Sequence, residues 1–433
     1  MDILVYDGFW GDCGKGKIVD FLAEKKAKEG NLEAVVRFAG GGNAGHTVVL
    51  ENNDVLRLNL IPSGIAIPDV YNALLSKVLV NPLKLMEEIK RIEEDYGIEI
   101  TPEKFGVSGR CKVTLPFHID LDVLNSKIKG RDVSTKRGIA PTQADNVSYN
   151  GMTMAEFVDE LTFTEVLEEQ FHRIDELYKH FDTSVELDVE SYKNELGPAM
   201  NFLRKFIIDE AELVENKKGD WIFEGAQGTL LSPTYGNYPD VTATEPYEPP
   251  SYFEGEKYMV LKSFVSRVGA APRVGVVPEH VDKIIRGEPG SIGEEIGATT
   301  GRKRDLMWFD AIAAKHSALL TNPDILILTK LDMLSGVNEL EITTGYDTGD
   351  GIINHVPQNR NVYKTCAEHN PETMKLVGWS EDIGGIKEWE YLPENAKNYV
   401  ATIEKLLDHR VGYVSVGTGR HDIIEVPEYR YAA

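Results

Sequence analysis

The sequence predicts an α/β fold built on a large central, mainly parallel β-sheet flanked by helices. Three observations carry this prediction. Five short apolar, β-branched runs recur along the chain, each passes into a glycine-rich or polar loop, and helix-periodic segments fill the intervals. Continuous apolar runs suit strands covered on both faces, as in a parallel sheet between helices.

Ile3–Tyr6 is the first run, ahead of Gly8-Phe-Trp-Gly-Asp-Cys-Gly-Lys-Gly-Lys17. Ala34–Phe38 follows, ahead of Ala39-Gly-Gly-Gly-Asn-Ala-Gly-His46. Asn81 before Pro82 reads as a helix start, with Leu85, Met86, Ile89 and Ile92 as the buried stripe and Gly97 as the stop. Residues 154–218 are charged and helix-prone, with apolar positions at helical spacing. They predict a helical insertion within one domain spanning residues 1–433. Trp221–Phe223 comes next, ahead of Glu224-Gly-Ala-Gln-Gly-Thr229, and the prolines of Glu245-Pro-Tyr-Glu-Pro-Pro250 mark a loop. The last two runs are Ile325–Leu328, ahead of Thr329-Lys-Leu-Asp332, and Gly412–Val416, ahead of Gly417-Thr-Gly-Arg420. Ligands of open α/β sheets bind at the carboxyl ends of the strands, so five such loops predict one composite site.

Composition narrows the class. With 42% hydrophobic and 27% charged residues, the 433-residue chain reads as soluble and globular. A formal charge of -24 argues against nonspecific nucleic-acid binding. It also gives the cluster Arg302-Lys303-Arg304 weight as a face for an anionic ligand, although a solvated loop would look similar. No basic leader opens the sequence, and no apolar stretch approaches the roughly 20 residues that span a bilayer. Cys13, Cys111 and Cys366 form neither a disulfide framework nor a metal pattern, so the expected setting is cytoplasmic, with no membrane partner.

The first loop is similar to a phosphate-binding loop but departs from the Walker spacing, and Gly16 stands where a hydroxyl would hold magnesium. Gly11, Gly14 and Gly16 let backbone N–H groups approach phosphate, with Lys15 and Lys17 nearby and a helix N-terminus behind. Asp12 is the nearest replacement oxygen for a metal. Taken alone, such a loop is more often an ordinary strand-to-helix turn. His46, embedded in glycines beyond a buried run, can donate to a phosphoryl oxygen, whereas a lone histidine is usually structural.

Taken in order, Trp10-Gly-Asp-Cys-Gly-Lys-Gly-Lys17, Gly41-Gly-Asn-Ala-Gly-His46, Phe223-Glu-Gly-Ala-Gln-Gly-Thr-Leu-Leu231, Gly297-Ala-Thr-Thr-Gly-Arg302, Thr329-Lys-Leu-Asp332 and Ser415-Val-Gly resemble the signatures of the adenylosuccinate synthetase family. The resemblance runs from about Ile3 to Arg420. It implies a P-loop-like GTP-binding ligase fold. The implied reaction ligates L-aspartate to the 6-position of inosinate through a 6-phosphoryl intermediate, giving adenylosuccinate, GDP and phosphate. It implies Asp12 as general base, with His46, Lys15 and Gln227 as its catalytic companions. It implies GTP contacts at Gly11, Gly14, Lys15, Gly16, Lys17, Gly45, His46, Thr47, Lys330, Asp332, Ser415 and Gly417. For the nucleoside monophosphate it implies Asp12, Asn43, Thr135, Gln227, Thr242 and Arg302. Thr299, Thr300, Arg302 and Arg304 match the loop that captures aspartate, where guanidinium forks suit carboxylates. Asp12 and the Gly45 carbonyl match ligands of Mg2+, and a homodimer is the family's assembly. Asp332 also has its own logic: one carboxylate can accept from both N1–H and the 2-amino group of guanine, a donor pair that adenine lacks, although Thr-Lys-Leu-Asp alone reads more simply as an acid capping a helix after a strand.

The chain departs from the family at several positions. Cys13 replaces a glutamate and Phe9 a glutamine, while Lys136 and Ala140 replace two glycines in Thr135-Lys-Arg-Gly-Ile-Ala-Pro141. Tyr149 stands where an arginine would cross to the partner's 5′-phosphate, and Glu245–Pro250 replaces small residues. Cys13 also reads as an inert buried thiol. Two rival readings therefore stay open. One is the same ligation on guanylate or deoxyguanylate, as in phage diaminopurine synthesis; those relatives commonly lose the catalytic Asp, so Asp12 favours inosinate. The other is a catalytically silent GTP-binding protein, against which Asp12, Lys15, His46, Gln227, Arg302 and Asp332 all count.

Overall fold

A computed structural model of the chain describes residues 1–129, 134–178, 187–267, 271–296 and 303–428. The chain forms two compact units, one of Met1–Leu22, Gly45–Arg57 and Glu224–Ala433, the other of Ala23–Ala44 and Leu58–Phe223.

In the first unit, five strands pair in the order Ile423–Glu425, Val411–Ser415, Ile325–Thr329, Gly255–Lys262, Asp2–Asp7. All are parallel except Ile423–Glu425, which returns antiparallel from Val411–Ser415. Every residue of Asp2–Asp7 and of Val411–Ser415 is buried, the mark of strands covered on both faces. Parallel pairing brings the carboxyl ends at Asp7, Lys262, Thr329 and Ser415 to one edge. The helix Lys15–Lys28 follows Asp2–Asp7 and is pinned there by Arg420, which holds both carboxylate oxygens of Asp20 at 2.5 and 2.9 Å. The helix Ala311–Thr321 is alanine-rich and buried on several sides, and Asp310 caps it by accepting from Ala313 N at 2.9 Å. Its Ser317 Oγ donates to the Gly8 carbonyl at 2.6 Å, fixing the start of the first loop.

In the second unit the order is Asp220–Glu224 (whose last residue belongs to the first unit), Leu32–Arg37, Tyr71–Leu74, Phe105–Ser108, Ile207–Ile208. From Leu32–Arg37 to Ile207–Ile208 the pairing is parallel. The helix Pro82–Tyr96 has the expected signals: Asn81 accepts from Lys84 N at 3.0 Å, Pro82 opens the first turn, and Gly97 closes it at φ 65°. Leu85, Ile89 and Ile92 are buried; so is Glu88, whose carboxylate takes the amides of Asn59 and Leu60 at 2.6 and 2.8 Å. Within 154–218 lie the helices Met154–Phe157, Glu160–Tyr178, Val189–Leu203 and Glu210–Glu215, together with the strand Ile207–Ile208.

All five expected runs are strands, Glu245–Pro250 is irregular, and the α/β class with a large, mainly parallel sheet is borne out. The strands Gly255–Lys262, Tyr71–Leu74 and Phe105–Ser108 were not among the expected ones.

Candidate active site

Asp7 organises the first loop. Its buried carboxylate accepts from Phe9 N at 2.8 Å, Gly11 N at 3.2 Å and Cys13 N at 2.9 Å, with Lys15 Nζ at 3.4 Å. Those amides are spent on the loop itself. What remains for an anion is the first turn of the helix Lys15–Lys28, entered through Gly14 at φ 87°. Asp12 adopts φ 60°, a strained conformation for a residue with a side chain, and its carboxylate is 39% exposed. Cys13 is buried, and burial, then the charge of Asp7, pushes its thiol well above the usual range, which fits the inert-thiol reading.

The turn after Glu224 packs directly on this loop. Lys15 Nζ donates to the Gln227 carbonyl at 2.6 Å, and Thr229 Oγ1 donates to the Asp7 carbonyl at 3.0 Å. Gly228 is a close-approach glycine: a Cβ there would sit 2.3 Å from the Phe9 carbonyl oxygen and 2.5 Å from Gly11 N. Gln227 itself adopts φ 53°, and neither its amide oxygen nor its amide nitrogen, both buried, has a partner among the described residues. His46, buried at the start of the strand His46–Val49, pairs through Nδ1 with Glu224, also fully buried. Asp12 and His46 therefore both adjoin the 224–228 turn, one through the loop packed on Gln227, the other through Glu224.

Two more turns close on the same loop. Thr329 Oγ1 donates to the Cys13 carbonyl at 2.7 Å. Lys330 follows at φ 58°, and its ammonium donates to the Gly293 carbonyl at 2.9 Å and to Glu295. Asp332 Oδ1 is buried with no partner among the described residues, and burial raises the pKa of its carboxyl. A cavity of about 680 Å³ opens beside Asp332, lined also by Lys283, Gly293, Ser335, Asp382 and Thr418. Lys17 Nζ donates to Ser415 Oγ at 2.7 Å and to the carbonyls of Gly417 and Asp422 at 2.8 and 3.0 Å; burial pushes its pKa down to about 8. Lys17 thus ties the helix start to the 415–422 turn.

Arg304 joins Asp12 to a buried charge cluster. Its NH2 donates to Asp12 Oδ2 at 2.7 Å and its NH1 to Glu295 Oε2 at 2.8 Å. Lys262 Nζ lies 3.0 Å from both oxygens of the same carboxylate. Burial alone would raise the Glu295 pKa, but attraction by Lys262, Lys330 and Arg304 outweighs it and holds the carboxyl well below the usual range.

Among the other expected residues, Gly45 and Thr47 are half-buried beside His46, and Thr242 is half-buried with its N–H on the Leu231 carbonyl at 2.8 Å. Asn43 and Thr135 lie in the second unit; Asn43 Oδ1 is buried without a partner among the described residues, and Thr135 is exposed. Lys136, in place of a family glycine, keeps a glycine-like φ of 55°, and Tyr149 is 97% exposed. Thr299, Thr300 and Arg302 lie outside the described residues. Sequence reasoning singled out neither Asp7 nor Glu224, Lys262 or Glu295 as a functional residue. The available signal was an acid closing an apolar run before a glycine loop, seen at Asp7 and again at Glu224.

The adenylosuccinate synthetase family profile matches residues 4–424. The adenylosuccinate synthetase of Halothermothrix orenii is 36% identical over 432 residues, and that of Streptococcus gordonii 33% identical over the same length. Each alignment covers 96% of both chains. A solved structure of fully ligated adenylosuccinate synthetase from Plasmodium falciparum superposes with TM-score 0.86 at 27% identity, covering 98% of this chain and 100% of that one. The cyanophage S-2L succinoaminodeoxyadenylate synthetase, solved with dGMP and dATP, is more distant, with TM-score 0.60 and 16% identity over 99% of this chain and 96% of that one, and shares the fold.

Proposed function

The chain belongs to the adenylosuccinate synthetase family, ligases that form a C–N bond, and we propose on that premise which of its residues carry the reaction. The reaction joins the amino nitrogen of L-aspartate to C6 of inosinate, with GTP as phosphoryl donor. Asp12 takes the N1 proton as O6 attacks the γ-phosphorus of GTP, and GDP departs. The aspartate amine then adds at C6, and phosphate leaves with the O6 oxygen. A carboxylate serves as this base only when held against N1. Arg304 supports that role by aiming the Asp12 side chain.

His46 stabilises the transferring phosphoryl group, oriented by Glu224 on Nδ1 so that Nε2 is the nitrogen that acts. The helix start at Gly14, Lys15, Gly16 and Lys17, with Gly11, Gly45 and Thr47, cradles the phosphates of GTP. Lys15 has one ammonium proton beyond the two directed at Asp7 and Gln227. Asp332, with Lys330, Ser415 and Gly417, reads guanine. Gln227, Asn43, Thr135, Thr242 and Arg302 hold the nucleoside monophosphate, and Thr299, Thr300, Arg302 and Arg304 hold aspartate.

The observation that carries this reading is where polar groups go unpaired. Buried polar atoms mostly have partners, and among the described residues Gln227 Oε1 and Nε2, Asn43 Oδ1 and Asp332 Oδ1 are among the buried side-chain atoms that have none. All three residues are ones the family motif assigns to ligands.

For Mg2+, the carboxylate of Asp12 and the carbonyl of Gly45 are the hard oxygen donors such an ion takes, and Asp12 Oδ1 makes no hydrogen bond among the described residues. When bound, the ion neutralises charge on the phosphates. We further propose a cytoplasmic homodimer in which residues 1–433 act as one catalytic domain with a helical insertion at 154–218.

Retention of Asp12 favours inosinate over deoxyguanylate, whose 2-amino group would crowd that carboxylate. The test offers inosinate, deoxyinosinate, guanylate and deoxyguanylate in parallel, each with aspartate, magnesium and either GTP or ATP. Succino-products are read by mass. The expected product comes from inosinate with GTP. Product from deoxyguanylate alone would overturn the substrate assignment, and product with ATP alone would overturn the role given to Asp332.

A further inference from the structure

We propose that Glu295 is a positioning residue that couples recognition of guanine to the seating of aspartate; the inference rests on the site reading above. Glu295 is fully buried, and its carboxylate is shared by three cations from three separate segments. Lys262 ends the strand Gly255–Lys262. Lys330 opens the turn that carries Asp332. Arg304 follows residues 297–302 and holds Asp12 at 2.7 Å.

The backbone makes the same connection. Arg304 N donates to the Glu295 carbonyl at 3.1 Å, and Ile296 and Lys303, on either side of 297–302, pair as a bridge. Arg286 braces the junction by donating to the carbonyl of Arg304 at 3.0 Å. Lys330 is meanwhile held in a left-handed conformation with its ammonium turned onto Glu295 and Gly293. A shift of the guanine turn therefore reaches Arg304 through a single carboxylate.

The charges point to an anion as the group that completes the cluster. Lys262, Lys330 and Arg304 outnumber Glu295 and Asp12 by one positive charge, and Arg304 Nε is buried without a partner among the described residues. A carboxylate of aspartate at Arg304 supplies the missing charge. Glu295 touches neither substrate; it fixes the two cations that face them. Energetic coupling of this kind acts equally in both directions.

Calorimetry on the full chain tests the proposal. GDP affinity is measured with inosinate and Mg2+ present throughout, with and without L-aspartate; GDP has no γ-phosphate, so nothing turns over. In the parent, aspartate is expected to tighten GDP by at least about fivefold, the lower range for coupled sites. In Glu295→Gln the factor falls to near one. The paired variant Lys262→Met/Glu295→Gln, which removes both charges together and so avoids a stranded one, gives the same loss and guards against misfolding of the single variant. A parent without the coupling, or variants that keep it while merely losing thermal stability, would overturn the role of Glu295. A parent that binds no GDP overturns the underlying site reading, and this inference with it.

Discussion

Asp12 and Arg304 stand 292 residues apart in the chain, and their side chains meet at 2.7 Å. Asp12 sits on a strained turn with its carboxylate half-exposed, and Arg304 is buried behind it. The pair gives the proposed general base a fixed direction and leaves one of its oxygens available, because Arg304 takes only Oδ2.

Asp12→Asn keeps the shape of the side chain and tolerates the left-handed backbone, since asparagine visits that region more readily than most residues. We expect kcat to fall by about 10³-fold, within the range for loss of a general base, with thermal stability little changed. Aspartate-dependent phosphate release from GTP, set against a melting curve, checks both halves of the expectation.

Asp332→Asn removes an acceptor for two guanine donors. The expected loss in kcat/KM for GTP is about 10²-fold, as for a hydrogen-bonded charged group. With ITP, whose base lacks the 2-amino group, the loss is smaller, so the GTP-to-ITP preference collapses. Parallel initial rates with the two donors measure that ratio.

Glu224→Gln leaves a hydrogen-bonding group beside His46 but no charge. Groups that orient a working histidine are worth roughly 10- to 100-fold, and the loss is expected in kcat, with KM for inosinate nearly unchanged. Single-turnover kinetics separates this from a binding defect.

Asp310 gives a pH signature of the scaffold. Burial, opposed by the Tyr346 hydroxyl at 2.6 Å, raises its pKa from 3.8 to about 6. Between those values the folded state keeps a proton that the unfolded state has released. The stability contributed by this group is therefore complete at low pH, falls as pH rises through the window, and is flat above it. Relative to Asp310→Asn, the parent is expected to lose stability from about pH 4 to pH 6. Urea denaturation midpoints of the two proteins across that range decide the matter.

The apolar runs that became strands were readable because both of their faces are buried, and a buried face leaves continuous hydrophobic sequence. Gly255–Lys262 escaped notice because it opens Gly-Glu-Lys and closes on a lysine whose burial depends on Glu295. Tyr71–Leu74 is four residues long and contains the buried polar residue Asn72, whose Nδ2 donates to the Val70 carbonyl at 3.0 Å. In the site, the glycine loops, Asp12, His46 and Asp332 were legible through the ordered family motifs, since each local pattern taken alone reads more readily as ordinary structure. Asp7 and Glu295 were not, because each acts through partners gathered by folding: loop amides for Asp7, and Lys262, Arg304 and Lys330 for Glu295. An acid in a polar segment carries no local sign that three cations will surround it.

In the proposed reaction O6 of inosinate attacks GTP before aspartate does any chemistry. Positional isotope exchange tests it directly, using GTP labelled with ¹⁸O at the β,γ-bridge, with inosinate and magnesium present and aspartate left out. The label is expected to scramble into the β-nonbridging positions with the parent protein, and to stay in place when inosinate is omitted or Asp12 is replaced by Asn. A parent that makes adenylosuccinate once aspartate is added, yet never moves the label without it, would rule out phosphoryl transfer to O6 ahead of aspartate.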